Sequence, residues 1–289
     1  METRLINSET HTHQTAPTEY VEANGIRFAF RRFGKKTGIP LVFNLHFLGT
    51  IDHWDPIITD SVAKSREVII FDNAGTGGSS GVTPSSVYEM AHNAEAFVDA
   101  LDLKQIDLLG FSMGGLIAQQ FTLDRPELVR KLILVGTGPR AGEAMQGPTD
   151  EGKAIFTGTY ENPQDVWLKV FFTPSETSQA AGRGFLERFQ RRQSDRVPAN
   201  KPEVGPAQRA ALSSYAVITE DRYSDLAKIK QPVLVVNGSR DVIIYTINSY
   251  ILQQRLPNAS LVLFPDSAHG SLYQYPTEFI QYLNQFLDQ

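Results

Sequence analysis

The sequence predicts an α/β protein: a mostly parallel sheet covered on both faces, opened by an antiparallel hairpin and interrupted by a helical insertion. Three observations carry this. Short apolar runs alternate with stretches of helical periodicity. Two strand-like runs at the start flank Asn24-Gly25, a dipeptide suited to a tight hairpin turn. A long aromatic-rich stretch without strand signals then breaks the alternation.

The hairpin is read over Tyr20-Val21-Glu22-Ala23 and Ile26-Arg27-Phe28-Ala29-Phe30. Further strands are read at Leu41–Leu45, Glu67–Phe71, Ile106–Leu109, Lys131–Val135, Val233–Val236 and Leu261–Phe264. Val87, Met90, Ala91, Ala94, Phe97, Val98 and Leu101 recur at helical spacing, and Ser86 with Glu89 fits a capping box. A last helix is expected over Thr277–Leu287, with Pro276 at its start. On sheets of this kind ligands bind at the carboxyl ends of the strands.

Residues 138–222 hold no clear strand but include Phe156, Tyr160, Trp167, Phe171, Phe172, Phe185 and Phe189. They read as a helical cap inserted into a core of residues 18–137 and 223–289. Arg183, Arg188, Arg191 and Arg192 read as a solvated outer face, the alternative being an anion-recognising lid. Residues 1–17 are polar, lack the apolar core of a signal peptide and read as a flexible arm, with His11 and His13 in solvent.

Bulk composition narrows the chemistry. The 289 residues suffice for one large domain with an inserted cap, and 41% apolar content is ordinary for a globular chain. The net charge of −5, with both signs interspersed, gives no footprint for nucleic acid. No cysteine is present, which excludes disulfides, thiolate metal sites and thiol chemistry. No apolar run approaches the length of a membrane span, so a cytoplasmic protein is expected.

The most informative stretch is Gly110-Phe111-Ser112-Met113-Gly114, between the run Ile106–Leu109 and the helical Leu116–Phe121. Strand, G-x-S-x-G, helix is the form of a nucleophile elbow, in which a tight turn holds a serine hydroxyl above the sheet. A serine needs a base, and the base an orienting acid, in the chain order serine, acid, histidine. Of six histidines only His269 follows Ser112, and it sits just after a strand. Asp241 follows Val233–Val236 and is the favoured acid; Asp266, three residues before His269, is the rival. The oxyanion hole requires two N–H donors, one from Met113 and one from His46-Phe47-Leu48-Gly49-Thr50. His46, His53 and Asp52 as metal ligands, and Gly75-x-Gly77 as a dinucleotide turn, are the weaker readings of those residues.

These motifs make the chain resemble the α/β-hydrolase fold superfamily, in its small, cap-bearing esterase and haloperoxidase-like branch. The resemblance spans nearly everything after the arm. It includes Gly110–Gly115, Gly238-x-x-Asp241, Ala268-His269-Gly270 with Tyr275-Pro276, and Asp72-x-x-Gly75-x-Gly77. It departs at His46-Phe47, where the family has His-Gly, and at Ala74-Gly75, where it has Arg-Gly. It implies an α/β-hydrolase sheet, Leu48 as the second amide donor, and no cofactor. The function so implied is a serine hydrolase of a small, rather apolar ester, lactone or related carbonyl compound. Carbon–carbon hydrolase, perhydrolase or lyase chemistry on the same residues is an alternative, as is a small-molecule receptor on the scaffold. Phe47, Trp167, Phe171 and Phe172 are the expected pocket residues. The expected partner is a small-molecule substrate, with no nucleic acid, no membrane and a homo-oligomer left open.

Overall fold

The computed structural model describes residues 11–36, 38–162 and 164–289. Its eight strands form one sheet in the order β1-β2-β4-β3-β5-β6-β7-β8. These are β1 (Glu19–Ala23), β2 (Ile26–Gly34), β3 (Leu41–Asn44), β4 (Glu67–Phe71), β5 (Ile106–Phe111), β6 (Val129–Val135), β7 (Val233–Gly238) and β8 (Ala259–Phe264). The β1–β2 pair is the expected Asn-Gly hairpin, and β2 runs antiparallel to β4. Every pairing from β4 to β8 is parallel. Strands β3 to β7 are apolar and almost wholly buried, as a sheet covered on both faces requires.

Helices α1 (Pro56–Ala63), α2 (Val87–Ala100), α3 (Met113–Asp124), α8 (Ile247–Arg255), α9 (Ser271–Gln274) and α10 (Pro276–Asp288) complete the frame. α2 and α3 close one face with Phe97, Leu116, Ile117 and Phe121. α1 and α10 close the other with Ile58, Val62, Phe279 and Leu283. Helical periodicity does not reveal α1. Its signal is Asp55-Pro56: Asp55 accepts the Ile57 N–H at 3.0 Å, and Pro56 occupies a position that needs no donor. Ser86 does stand at the N-cap of α2, but its side chain makes no capping bond, so the capping box does not form.

Between β6 and β7 lie four α-helices, α4 (Asp150–Thr157), α5 (Asp165–Phe171), α6 (Glu176–Phe189) and α7 (Val204–Tyr215), and no strand among the described residues. Ala211 and Tyr215 of α7 belong to the same apolar cluster as α2 and α3. The insertion is tied down by ion pairs, and two of the four arginines read as solvated are not. Arg188 grips Asp55 through two nitrogens, at 3.0 and 2.7 Å. Arg192 is buried and donates to the His13 and Ala16 carbonyls at 2.7 and 2.8 Å. Arg31, fully buried on β2, pairs with Asp52 at 2.7 Å, and Asp52 also accepts the Val197 N–H at 2.9 Å.

The expected flexible arm is corrected in its second half. Calls on residues 1–10 lie outside the described residues. His13 and Ala16 are buried, the His13 N–H donating to Asp60 at 2.6 Å. The ring sits 3.1 Å from the Thr59 hydroxyl and edge-on to Phe33. Sequence offered no signal for this, because a polar segment is buried here by hydrogen bonds rather than by apolar pattern. Among the described residues no helix is long and apolar enough to cross a membrane.

Burial, aided by Arg31 and Arg192, pushes His13 from 6.5 down to about 3. The unfolded chain therefore takes up a proton at this ring below its ordinary range while the folded protein does not, so this contribution to stability falls as pH falls. Between about pH 6 and pH 4 the His13→Gln variant should lose stability less steeply than the parent, by about 1.4 kcal/mol per pH unit. Urea unfolding at successive pH values reads this; parallel profiles would contradict it.

Candidate active site

The site lies where β5 passes into α3. Ser112 adopts φ 56°, ψ −120°, a strained conformation for a residue with a side chain. A Cβ on Gly110 would overlap the Gly114 carbonyl, and one on Gly114 would overlap the Asn44 carbonyl of β3. Only glycine at both ends permits a turn this tight. Ser112 N–H donates to the Val135 carbonyl at 2.8 Å, pinning the elbow to β6. Met113 is the first residue of α3, where a backbone N–H has no partner within its own helix.

Two loops at other strand ends meet the serine. His269 follows β8, and its Nε2 lies 2.8 Å from Ser112 Oγ. Its Nδ1 lies 2.8 Å from Asp241 Oδ2. Asp241, after β7, is buried, and its Oδ1 accepts the N–H groups of Ile243 and Ile244 at 2.9 and 3.0 Å. A carboxylate only accepts, so Nδ1 carries the imidazole proton and Nε2 presents its lone pair to the serine hydroxyl. The three residues picked from chain order are thus brought together.

Asp266 is not part of this set. It accepts the hydroxyls of Thr173 and Ser175 at 2.9 and 2.5 Å, which hold its carboxyl below the usual range. Its work is to tie the start of α6 to the loop that carries His269. The same loop is fastened to α5 by the Gly270 N–H, which donates to the Phe171 carbonyl at 3.0 Å.

The loop after β3 forms the opposite wall. His46 is buried, and its Nδ1 donates to the Phe47 carbonyl at 2.9 Å. Burial pushes this ring down to about 4 and its neighbour His53 to about 3, so both are neutral at physiological pH. The rings stack with centroids 5.9 Å apart. Among the described residues no group of three or more side chains could hold a metal ion. Asp72, the first residue of the Asp-x-x-Gly-x-Gly turn, supports the loop by accepting the Ile51 N–H at 2.7 Å, and burial pushes it up to about 7.

Leu48 takes φ 59°. Its N–H, expected as an oxyanion donor, donates to Gln208 Oε1 of α7 at 2.7 Å. Its carbonyl accepts from Asn200 Nδ2 at 2.8 Å. Gln208 and Asn200 have no sequence signal: both come from the insertion, far along the chain, and no local motif marks them.

A cavity of about 210 Å³ opens above Ser112 and His269. Phe47, Leu48, Trp167 and Phe171 line it, as do Phe156, Val166, Val170 and Ile243, which sequence reading did not single out. Trp167 stacks on Phe171 at 5.1 Å and meets His46 edge-on at 5.4 Å. Phe172 is the exception among the expected pocket residues. It points away, against Phe185 at 6.0 Å and Gly182, because adjacent residues at the end of a helix face different sides.

Comparison with known proteins agrees with the fold. Residues 39–276 match the family model described as alpha/beta hydrolase fold. A solved alpha/beta hydrolase fold protein from Chitinophaga pinensis superposes with a TM-score of 0.91 at 40% identity, covering 96% of this chain and all of that one. The poly(3-hydroxyalkanoate) depolymerase of Ectopseudomonas oleovorans is 33% identical over 72% of this chain and 70% of its own. Est816, described as an N-acyl homoserine lactone degrading enzyme, has a TM-score of 0.73 at 27% identity, covering 93% of this chain and all of its own.

Proposed function

The chain belongs to the alpha/beta hydrolase fold family, and from that premise we propose that it is a serine hydrolase of a small, rather apolar ester or lactone. The observation that carries this reading is the His269 imidazole, within 2.8 Å of both Ser112 Oγ and Asp241. Ser112 Oγ attacks the substrate carbonyl carbon while its proton passes to His269 Nε2. Asp241 holds the tautomer and stabilises the imidazolium. The oxyanion that forms is received by the N–H groups of Met113 and Leu48. Collapse expels the leaving alkoxide, which takes the proton from Nε2 and leaves an acyl group on Ser112. Water then adds to that acyl carbon, gives its proton to His269, and the acid departs as the proton returns to Ser112. No step calls for a cofactor.

The substrate class rests on the cavity, whose walls are almost entirely apolar, and on two relatives. A poly(3-hydroxyalkanoate) and an acyl homoserine lactone both present an ester carbonyl. In this reading residues 138–222 act as a cap that roofs the carbonyl site. The enzyme works in the cytoplasm on a small molecule, with neither nucleic acid nor membrane as partner.

Ser112→Ala should lower turnover of short p-nitrophenyl esters by several orders of magnitude while leaving the fold intact by circular dichroism. Asp241→Asn should cripple turnover far more than Asp266→Asn, because an amide at the first position favours the wrong tautomer. A Ser112→Ala variant with a tenth of parental activity, or an Asp266→Asn variant worse than Asp241→Asn, would refute these roles.

Trp167 stands over the cavity, so its removal should change acyl-chain preference. Trp167→Ala is expected to shift the ratio of kcat/KM for long over short acyl esters at least several-fold, since a methylene in an apolar pocket is worth about 1–3 kcal/mol. An unchanged acyl-chain profile with lowered stability would make Trp167 a packing residue only.

A further inference from the structure

Resting on that reading of the site, we propose that Gln208 is a built-in carbonyl surrogate, which occupies the Leu48 donor until a substrate oxygen displaces it. Its Oε1 is a carboxamide carbonyl oxygen, the same kind of acceptor that an ester presents. It takes the Leu48 N–H at 2.7 Å, and Leu48 lines the cavity together with Ser112 and His269. One of the two proposed oxyanion donors is therefore already engaged.

The alternative is that Gln208 merely braces a strained loop. That bracing is already provided by other contacts. The Leu48 carbonyl is held by Asn200 at 2.8 Å, and Asn200 is fixed in turn by the Gly77 N–H at 2.9 Å. The Gly49 N–H closes the turn onto the His46 carbonyl at 2.9 Å, and His46 bonds the Phe47 carbonyl at 2.9 Å. With the loop held by these three hydrogen bonds, the Gln208 bond is the contact that can open without the turn unfolding.

Gln208 is buried at 1% exposure on a helix of the insertion, so its side chain is placed by α7. A weak or badly oriented carbonyl competes poorly with a preplaced carboxamide. A tetrahedral oxyanion competes well, because a charged acceptor forms a hydrogen bond about twice as strong as a neutral one. The device therefore selects for a carbonyl that has begun to accept the serine.

The test uses the full-length chain and an alkyl trifluoromethyl ketone. Ser112 Oγ adds to the ketone carbon, its proton goes to His269, and the former carbonyl oxygen becomes the oxyanion. Gln208→Ala should tighten the ketone Ki roughly fivefold to tenfold, the factor carried by about one net hydrogen bond, and raise kcat/KM for short esters in parallel. Gln208→Glu should weaken the ketone at least about tenfold at neutral pH, since a carboxylate holds the amide more strongly and repels the oxyanion. A bracing residue predicts the reverse: a looser Ki for Gln208→Ala and near-parental behaviour for Gln208→Glu, which also accepts from Leu48. Either of those results overturns the proposal, as does an unchanged Ki for Gln208→Ala. Should Gln208→Ala fail to fold, Gln208→Glu decides alone. Ketone inhibition that persists in Ser112→Ala marks failure of the serine reading itself, whereas inhibition lost there but indifferent to Gln208 marks failure of this inference only.

Discussion

The site depends on one close approach of backbone to backbone. α3 starts so near both β5 and β3 that neither Gly110 nor Gly114 has room for a Cβ. That contact forces the intervening Ser112 into positive φ and lifts its hydroxyl clear of the sheet. The strain is local and costs of order 1–3 kcal/mol. It persists because β5 is the central strand, buried along its length and paired on both edges, so the surroundings over-determine the turn. The imidazole of His269 finds the serine only because β7 and β8 run parallel to β5 and deliver their following loops to the same edge.

The insertion is fastened to this frame by charge. Asp52, Asp55 and Asp266 each bind side chains or backbone of residues 173–197. Buried ion pairs add little net stability, since desolvation offsets much of their attraction, but they fix geometry. Here the fixed quantity is the position of α5 and α6 above the β3 loop. Trp167 and Phe171 can then roof the cavity, and Phe171 reaches the His269 loop through its own carbonyl. The two neutral histidines, buried His46 and half-buried His53, extend that aromatic wall.

Much of this was legible in residue order, for identifiable reasons. The strands carry strong period or continuous apolar runs, and Ser112, Asp241 and His269 each follow one of them. Sequence order favours Asp241 without eliminating Asp266, because Asp266 also follows a strand; the bond from Asp241 to His269 and the hydroxyl partners of Asp266 on the insertion separate the two. The burial of His13 and Arg192, and the ion pair of half-buried Arg188, were illegible for a related reason. A polar residue buried by a distant partner looks the same in sequence as one in solvent, and each of these partners lies more than a hundred residues away or across a loop closure. Gln208 belongs to the same class: its role is set by where α7 docks, not by any neighbour in the chain.

The central claim, that Ser112 is a nucleophile activated through His269, is tested most directly by a fluorophosphonate that forms an irreversible adduct. Inactivation should follow the incorporation of one phosphonyl group per chain, mapped by mass spectrometry to the peptide containing Ser112. Ester turnover that continues in fully labelled protein, or inactivation with the adduct on another residue, would contradict the account.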